Sequence, residues 1–103
     1  MPTGSPRVIW SPESEVDLLS IWRWGASRFS SETADRHLRD IQRAISALTT
    51  SPEIGRARDD LRPGIREIVV YPTVMFYRIA GSTIEIIRIV DGRRDTAAIF
   101  VEG

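Results

Sequence analysis

Val74-Met-Phe-Tyr-Arg-Ile-Ala80, Gly81-Ser82 and Thr83-Ile-Glu-Ile-Ile-Arg-Ile-Val90 decide the fold. Two runs rich in β-branched and aromatic residues flank a two-residue glycine turn, the pattern of an antiparallel hairpin with a type II′ turn. The turn sets a register in which Ala80 faces Thr83, Arg78 faces Glu85, Phe76 faces Ile87 and Val74 faces Ile89. On the opposite face Ile79 meets Ile84 and Tyr77 meets Ile86. Arg78 and Glu85 then form an opposite-charge cross-strand pair. Both faces of the hairpin are apolar at its centre, so each needs a cover.

Upstream, Ile65–Tyr71 reads as a strand joined to this hairpin through Pro72-Thr73, and Arg7-Val-Ile-Trp-Ser11 as a first strand. Two helices lie between them. Ser11 caps the first, Pro12 suits its first position, and Glu13 and Glu15 complement its positive end. Leu18, Ile21, Trp22, Gly25 and Phe29 follow at helical spacing, while Trp24 falls off that stripe as an outer-face contact anchor or a packing residue. After Ser30-Ser31, a second stripe of Ala34, Leu38, Ile41, Ile45 and Leu48 ends near Ser51-Pro52. The short link makes the pair an antiparallel hairpin. Pro52 to Gly64 reads as a loop. The order is β-α-α-β-β-β, an α+β domain with a helical hairpin packed on a twisted, mainly antiparallel sheet over residues 7–103, after a flexible tail at 1–6. The helical hairpin covers one sheet face. The other requires the chain's own ends or another protein.

The 103 residues fit one domain. With no cysteine, disulfides and thiolate chemistry are excluded, which suits a reducing cytoplasm. No apolar run approaches the roughly 20 residues of a membrane span, and the first residues lack the layout of a signal peptide. Formal net charge is zero, yet the stretch from Arg56 to Arg94 carries eight arginines against Asp59, Asp60, Glu67, Glu85 and Asp91. Every basic residue is arginine, either a codon bias of the genome or a use of planar guanidinium forks for carboxylate or phosphate. Arg56, Arg58, Arg62 and Arg66 cluster around the loop, and Arg93 and Arg94 follow the last strand. They are either solvated ion-pair partners of Asp59, Asp60 and Asp95 or an anion-facing patch. His37, the single histidine, has no carboxylate pattern beside it and reads as a solvated or core-edge residue. No metal-ligand cluster, phosphate loop, nucleophile elbow or paired-carboxylate motif is present, so neither cofactor nor metal nor catalytic residue is expected.

Pro52-Glu-Ile-Gly-Arg-Ala-Arg58, Leu61-Arg-Pro-Gly-Ile-Arg66, Val74-Met-Phe-Tyr-Arg78 and Ile86-Ile-Arg-Ile-Val-Asp-Gly-Arg-Arg-Asp95 occur in an order that resembles the RelE/ParE superfamily, nearer its ParE branch. The resemblance covers nearly the whole chain from Arg7. It implies the same β-α-α-β-β-β fold, a tight strand entry at Gly64, and pairing among Arg66, Arg78 and Asp95. It also implies the toxic half of a type II toxin–antitoxin system, bound by a ParD-like antitoxin. ParE-like toxins act by binding DNA gyrase and trapping its cleaved complex, without sequence-specific DNA binding of their own; RelE-like toxins are ribosome-dependent mRNA endonucleases. The chain departs from the RelE pattern in having no lysine, in the position of His37, and in offering Phe100 where a nuclease wants a tyrosine or histidine. Arginine is a poor general base. A non-toxic binding module is the third class. The expected contact residues for antitoxin or target are Arg56, Arg58, Arg62, Arg66, Phe76, Tyr77, Arg93 and Arg94, with either Phe76 or Tyr77 facing outward from the uncovered sheet face.

Overall fold

In a computed structural model, which describes residues 6–101, Ser11 caps helix α1 (Pro12–Arg28) by accepting the Ser14 amide at 3.0 Å. Its hydroxyl donates in turn to the Ile87 carbonyl at 2.7 Å, fixing the helix start to the sheet. Ser30 caps α2 (Ser31–Thr50) in the same way, and the two helices pack closely where Gly25 faces Ala34. The expected tail lies outside the described residues apart from Pro6.

The sheet has five strands: β1 (Arg7–Trp10), β2 (Arg56–Ala57), β3 (Arg66–Val70), β4 (Thr73–Ala80) and β5 (Thr83–Asp91), in the order β1-β5-β4-β3-β2. β1 runs parallel to β5; the other pairings are antiparallel. This is the expected α+β arrangement, with two additions in segments read as irregular: Pro52–Ile54 forms a 3₁₀ turn leading into β2, and Thr96–Val101 forms a third helix, α3. Both are too short for periodicity to reveal.

The hairpin register begins as expected. Gly81 has φ +61°, Ala80 faces Thr83, Ile79 faces Ile84, Tyr77 faces Ile86, and Arg78 pairs with Glu85. It then departs: Phe76 faces Arg88 and Val74 faces Val90, not Ile87 and Ile89, because a β-bulge intervenes. Ile84, Ile86 and Ile89 are spaced two and then three apart, and all three pack on the helical side with Tyr77 and Met75. One extra residue is what lets all three face the same way. At the bulge β1 has already ended, and Asp17 of α1 takes its place along β5. Its carboxylate accepts the Ile89 amide at 3.0 Å and the Arg88 guanidinium at 2.7 and 3.0 Å. Asp17 holds the Arg88 guanidinium above its ordinary range, against the opposing effect of partial burial.

One core lies between sheet and helical hairpin, around Ile41, Leu48, Met75, Tyr77, Ile84 and Ile86. A smaller core fills the other face, where Phe100 of α3 meets Phe76 edge-on at 5.1 Å, with Ile65 and Val90. The chain's own C-terminal helix therefore covers the sheet centre. This corrects the expectation of an outward aromatic: Phe76 and Tyr77 are both 0% exposed, because the strand presents them to opposite, filled faces.

Candidate functional site

Four of the six expected contact arginines sit at one end of β3, where Arg58 and Arg66 are partly buried and Arg56 and Arg62 are exposed. Gly55 donates its amide to the Tyr77 hydroxyl at 2.9 Å, and that hydroxyl donates to the Pro52 carbonyl at 2.7 Å. Burial lifts the Tyr77 hydroxyl above the ordinary tyrosine range, which keeps its proton on for that bond. Arg66 donates to the carbonyls of Gly55 at 2.8 Å and Glu53 at 3.2 Å. Only glycine fits at 55, since a Cβ would come within 2.4 Å of the Tyr77 hydroxyl. Arg58 holds Asp60 with two bonds of 3.0 Å and also bonds Glu67; these carboxylates, Asp60 first, raise the guanidinium further above its usual range. Arg62 donates to the Phe100 carbonyl at 3.3 Å and lies 5.4 Å from the Phe100 ring centre, clasping α3 to the loop. Asp59 accepts the Gly64 amide at 2.8 Å where Gly64 takes φ +84° to enter the strand. Of the loop arginines only Arg56, on exposed β2, has no carboxylate or carbonyl partner among the described residues.

The pairing implied for Arg66, Arg78 and Asp95 is not formed. Arg66 serves backbone carbonyls, Arg78 pairs across the hairpin, and Asp95 accepts the Ala97 amide at the start of α3.

The opposite end of β3 is built differently. There the C-terminal half of α1, the N-terminal half of α2, the β3–β4 turn and the loop after β5 enclose a groove of about 730 Å³. Its apolar lining includes Ile21, Ala34 and Ile89, with Gly25 between the helices. Its rim carries the large exposed aromatics of the described residues, Tyr71 at 87%, Phe29 at 65% and Trp24 at 51% exposed. Trp24 and Phe29 meet edge-on at 5.7 Å, and Arg28 lies 5.9 Å from the Trp24 ring centre. Of the two readings of Trp24, outer-face anchor or packing residue, its exposure favours the first. Phe29, expected on the inner stripe, follows the last turn of α1 as its C-cap and turns out to the rim.

Arg36, Arg93 and Arg94 complete the lining. The groove's carboxylates each have a guanidinium: Asp17 holds Arg88, Asp40 holds Arg43 at 3.2 Å, and Asp91 holds Arg93 at 2.8 Å. Arg93 lowers the Asp91 carboxyl to about 2, through its side chain first and its backbone amide second. Arg36 and Arg94 have no carboxylate partner among the described residues, so the groove presents two uncompensated cations beside three rings. His37 also lines it, but its Nε2 sits 3.2 Å from the Val70 carbonyl and 3.1 Å from the Thr73 hydroxyl. Thr73 itself donates to Val70, so Nε2 is the donor, tying down the turn that carries Tyr71.

Of the expected contacts, the structure brings Arg93 and Arg94 into the groove and leaves Arg56, Arg58, Arg62 and Arg66 at the other end of the strand. Tyr71, Phe29 and Arg36 were missed as site residues. The available signal was an aromatic beside Pro72 in a turn, where no stripe can bury it.

A helical hairpin on a five-stranded mixed sheet, with a groove rimmed by aromatics and arginines, makes this a small α+β domain. Residues 8–96 match the family described as the ParE toxin of the type II toxin–antitoxin system parDE. Toxin ParE1 of Mycobacterium tuberculosis (strain H37Rv) is 36% identical over 92 residues, covering 88% of this chain and 94% of that protein. Toxin ParE3 of Caulobacter vibrioides is also 36% identical over 92 residues, covering 89% of this chain and 92% of that protein. A solved structure titled as the chromosomal ParDE TA system from P. aeruginosa superposes with a TM-score of 0.72 at 24% identity, over 84% of this chain and 96% of that one. The chain belongs to the ParE toxin family.

Proposed function

We propose that this chain arrests growth by binding rather than by catalysis, poisoning DNA gyrase in the cytoplasm, and that a ParD-like antitoxin neutralises it. The groove is the observation that carries this reading. It offers an apolar floor, exposed rings and unpaired guanidinia, which are the groups that dominate protein interfaces. Its one imidazole is engaged by the Val70 carbonyl and the Thr73 hydroxyl, and arginine is by its chemistry a poor general base. That chemistry supports recognition over ribonuclease action. The antitoxin segment suited to it is acidic and amphipathic, with apolar anchors between Trp24 and Tyr71 and carboxylates reaching Arg36 and Arg94. The sheet face beneath α3 and the loop residues Arg58, Arg62 and Arg66 are less suited as receptors, since α3 and internal partners occupy them. Among the described residues no helix is long and apolar enough to cross a membrane.

Two assays on the purified chain test the reading side by side. In the first, gyrase supercoiling stops and cleaved DNA accumulates. In the second, mRNA on programmed ribosomes stays intact. Ribosome-dependent cleavage without effect on gyrase would reverse the assignment.

A further inference from the structure

We infer that the outward face of α2, built from Arg39, Gln42, Arg43 and Ser46, docks on the sugar–phosphate backbone of duplex DNA without regard to base sequence. This rests on the reading of the chain as a poison of an enzyme that holds DNA, which brings the toxin beside a duplex. The four residues stand at i, i+3, i+4 and i+7, so they form one stripe over two turns, away from Ala34, Ile41 and Leu48 in the core. They line a shallow recess of about 340 Å³ that shares no residue with the groove. Every side chain lining it can donate a hydrogen bond, and none is a carboxylate. Among the described residues the side chains of Arg39, Gln42 and Ser46 have no hydrogen-bond or ion-pair partner. Arg43 holds Asp40 at 3.2 Å, but both side chains reach solvent, and an exposed pair of this kind yields readily to a phosphate. Asp35, one turn before Arg39, accepts the Trp22 indole at 2.8 Å.

Composition commits the occupant. The exposed large apolar side chains of the described residues all lie off α2, so a protein segment would find nothing there to seat its anchors on. No ring lines the recess to stack an unpaired base, as a single strand requires. A regular row of phosphates remains. Arg39 and Arg43 stand about 6 Å apart along the helix axis, and each offers a planar fork that matches a phosphate. Gln42 and Ser46 add neutral donors of the kind that position a protein on a backbone without reading bases. The chain's formal net charge is zero, so attraction to DNA comes from such a local row and not from the field of the whole molecule.

The test is fluorescence anisotropy of a labelled duplex titrated with the full-length chain, at salt concentrations from about 20 to about 200 mM. Two duplexes of unrelated sequence should bind alike, with affinity falling as salt rises. Each phosphate contact adds about 0.9 to the slope of log affinity against log salt, so Arg39→Gln and Arg43→Gln should each remove about one, and the double variant about two. Arg56→Gln, at an exposed arginine on β2, should leave the slope in place. All these side chains are exposed, so melting temperature and antitoxin affinity should stay at their wild-type values. An unchanged slope in the double variant, or no duplex binding at the lowest salt, would overturn the inference. So would displacement of the duplex by inorganic phosphate at matched ionic strength, which would make the recess a small-anion site. Displacement by a polyglutamate peptide more effective than by unlabelled duplex would overturn it too, and would make the partner an acidic protein. The gyrase assay separates this inference from the reading it rests on. In that assay the double variant should need about tenfold more protein to accumulate the same cleaved DNA. Duplex binding that the double variant loses, with gyrase untouched by the wild type, keeps the docking face and sinks only the choice of target. Gyrase poisoned equally by both proteins, with no duplex binding, sinks the docking face alone.

Discussion

The two ends of β3 teach opposite lessons about what a motif marks. At the Arg66 end stand most of the residues that carry the family resemblance: Pro52, Gly55, Arg58, Gly64, Arg66 and, from the neighbouring strand, Tyr77. Nearly every polar atom there is engaged inside the chain, with Tyr77 bonded to Pro52 and Gly55, Arg66 to Glu53 and Gly55, and Arg58 to Asp60 and Glu67. At the Val70 end the rings of the groove obey no spacing rule and remain available, while Arg93 and Arg94 come from the closing Gly92-Arg-Arg-Asp95 motif. A recurrent motif records a geometric constraint, such as a glycine too close to a phenol for any other residue. A recognition surface needs only exposed anchors of the right chemistry, and residues distant in sequence can supply them.

The sharpest way to break this contrast is Gly55→Ala. The new methyl would meet the Tyr77 hydroxyl at 2.4 Å, its ring at 2.6 Å and the Glu67 carbonyl at 2.8 Å, and the last is backbone. Overpacking of this kind costs about 1–3 kcal/mol, and displacing the Tyr77 hydroxyl adds the loss of its bonds, so the variant should fall near or beyond the upper end. Denaturant unfolding reads the loss, while antitoxin affinity per folded molecule stays unchanged. A large drop in that affinity would mean that the two ends are not separate. Tyr77→Phe comes next. It leaves the Gly55 amide and the Pro52 carbonyl without their partner, for about 1–3 kcal/mol by the same measurement.

The same contrast explains how much was legible in the sequence. Regular elements were, because periodicity and caps are local: Ser11-Pro12 starts α1, Ser30 caps α2, and the Gly81 turn sets the first four pairs of the hairpin. The bulge was written in the Ile84, Ile86, Ile89 spacing, but only the knowledge that all three share a face turns that spacing into a bulge. The six residues of α3 are too few to show a period, and without α3 the Phe76 face reads as open. The site was hardly legible. Arg93 and Arg94 were reached through charge composition and the closing Gly92-Arg-Arg-Asp95 motif, whereas Tyr71, Phe29 and Arg36 meet only when the β3–β4 turn folds beside the helical hairpin.

At the groove the expected signature is reversed. Tyr71→Ala removes a ring that is 87% exposed, so stability should change by no more than about 0.5 kcal/mol. Antitoxin affinity should nevertheless fall about tenfold, close to 1.4 kcal/mol. Calorimetric titration beside a thermal melt separates the two. An equal loss in both would show that Tyr71 packs more than it recognises.

The smallest effect concerns Asp91, which takes one of the groove's arginines out of service. Its carboxyl is lowered to about 2 by Arg93, which bonds it through guanidinium and backbone amide. A carboxylate depressed in the folded state contributes stability that is fully present above its unfolded value near 4, and that is lost as pH falls through about 2. Both side chains reach solvent, so screening holds the contribution to at most about 1 kcal/mol. Asp91→Asn should therefore be slightly less stable than the wild type at pH 6, and the gap should close between pH 4 and pH 2 and shrink in high salt. A gap that persists at pH 2 would assign the stability to the amide bond from Arg93 rather than to charge. The same substitution should act on binding with the opposite sign. It frees Arg93 to join Arg36 and Arg94 against an acidic partner, so antitoxin affinity at pH 6 should rise about two- to fivefold, the scale of one exposed ion pair. If affinity falls instead, Asp91 is itself a contact, and the groove recognises a partner that brings a cation or an amide donor to that corner.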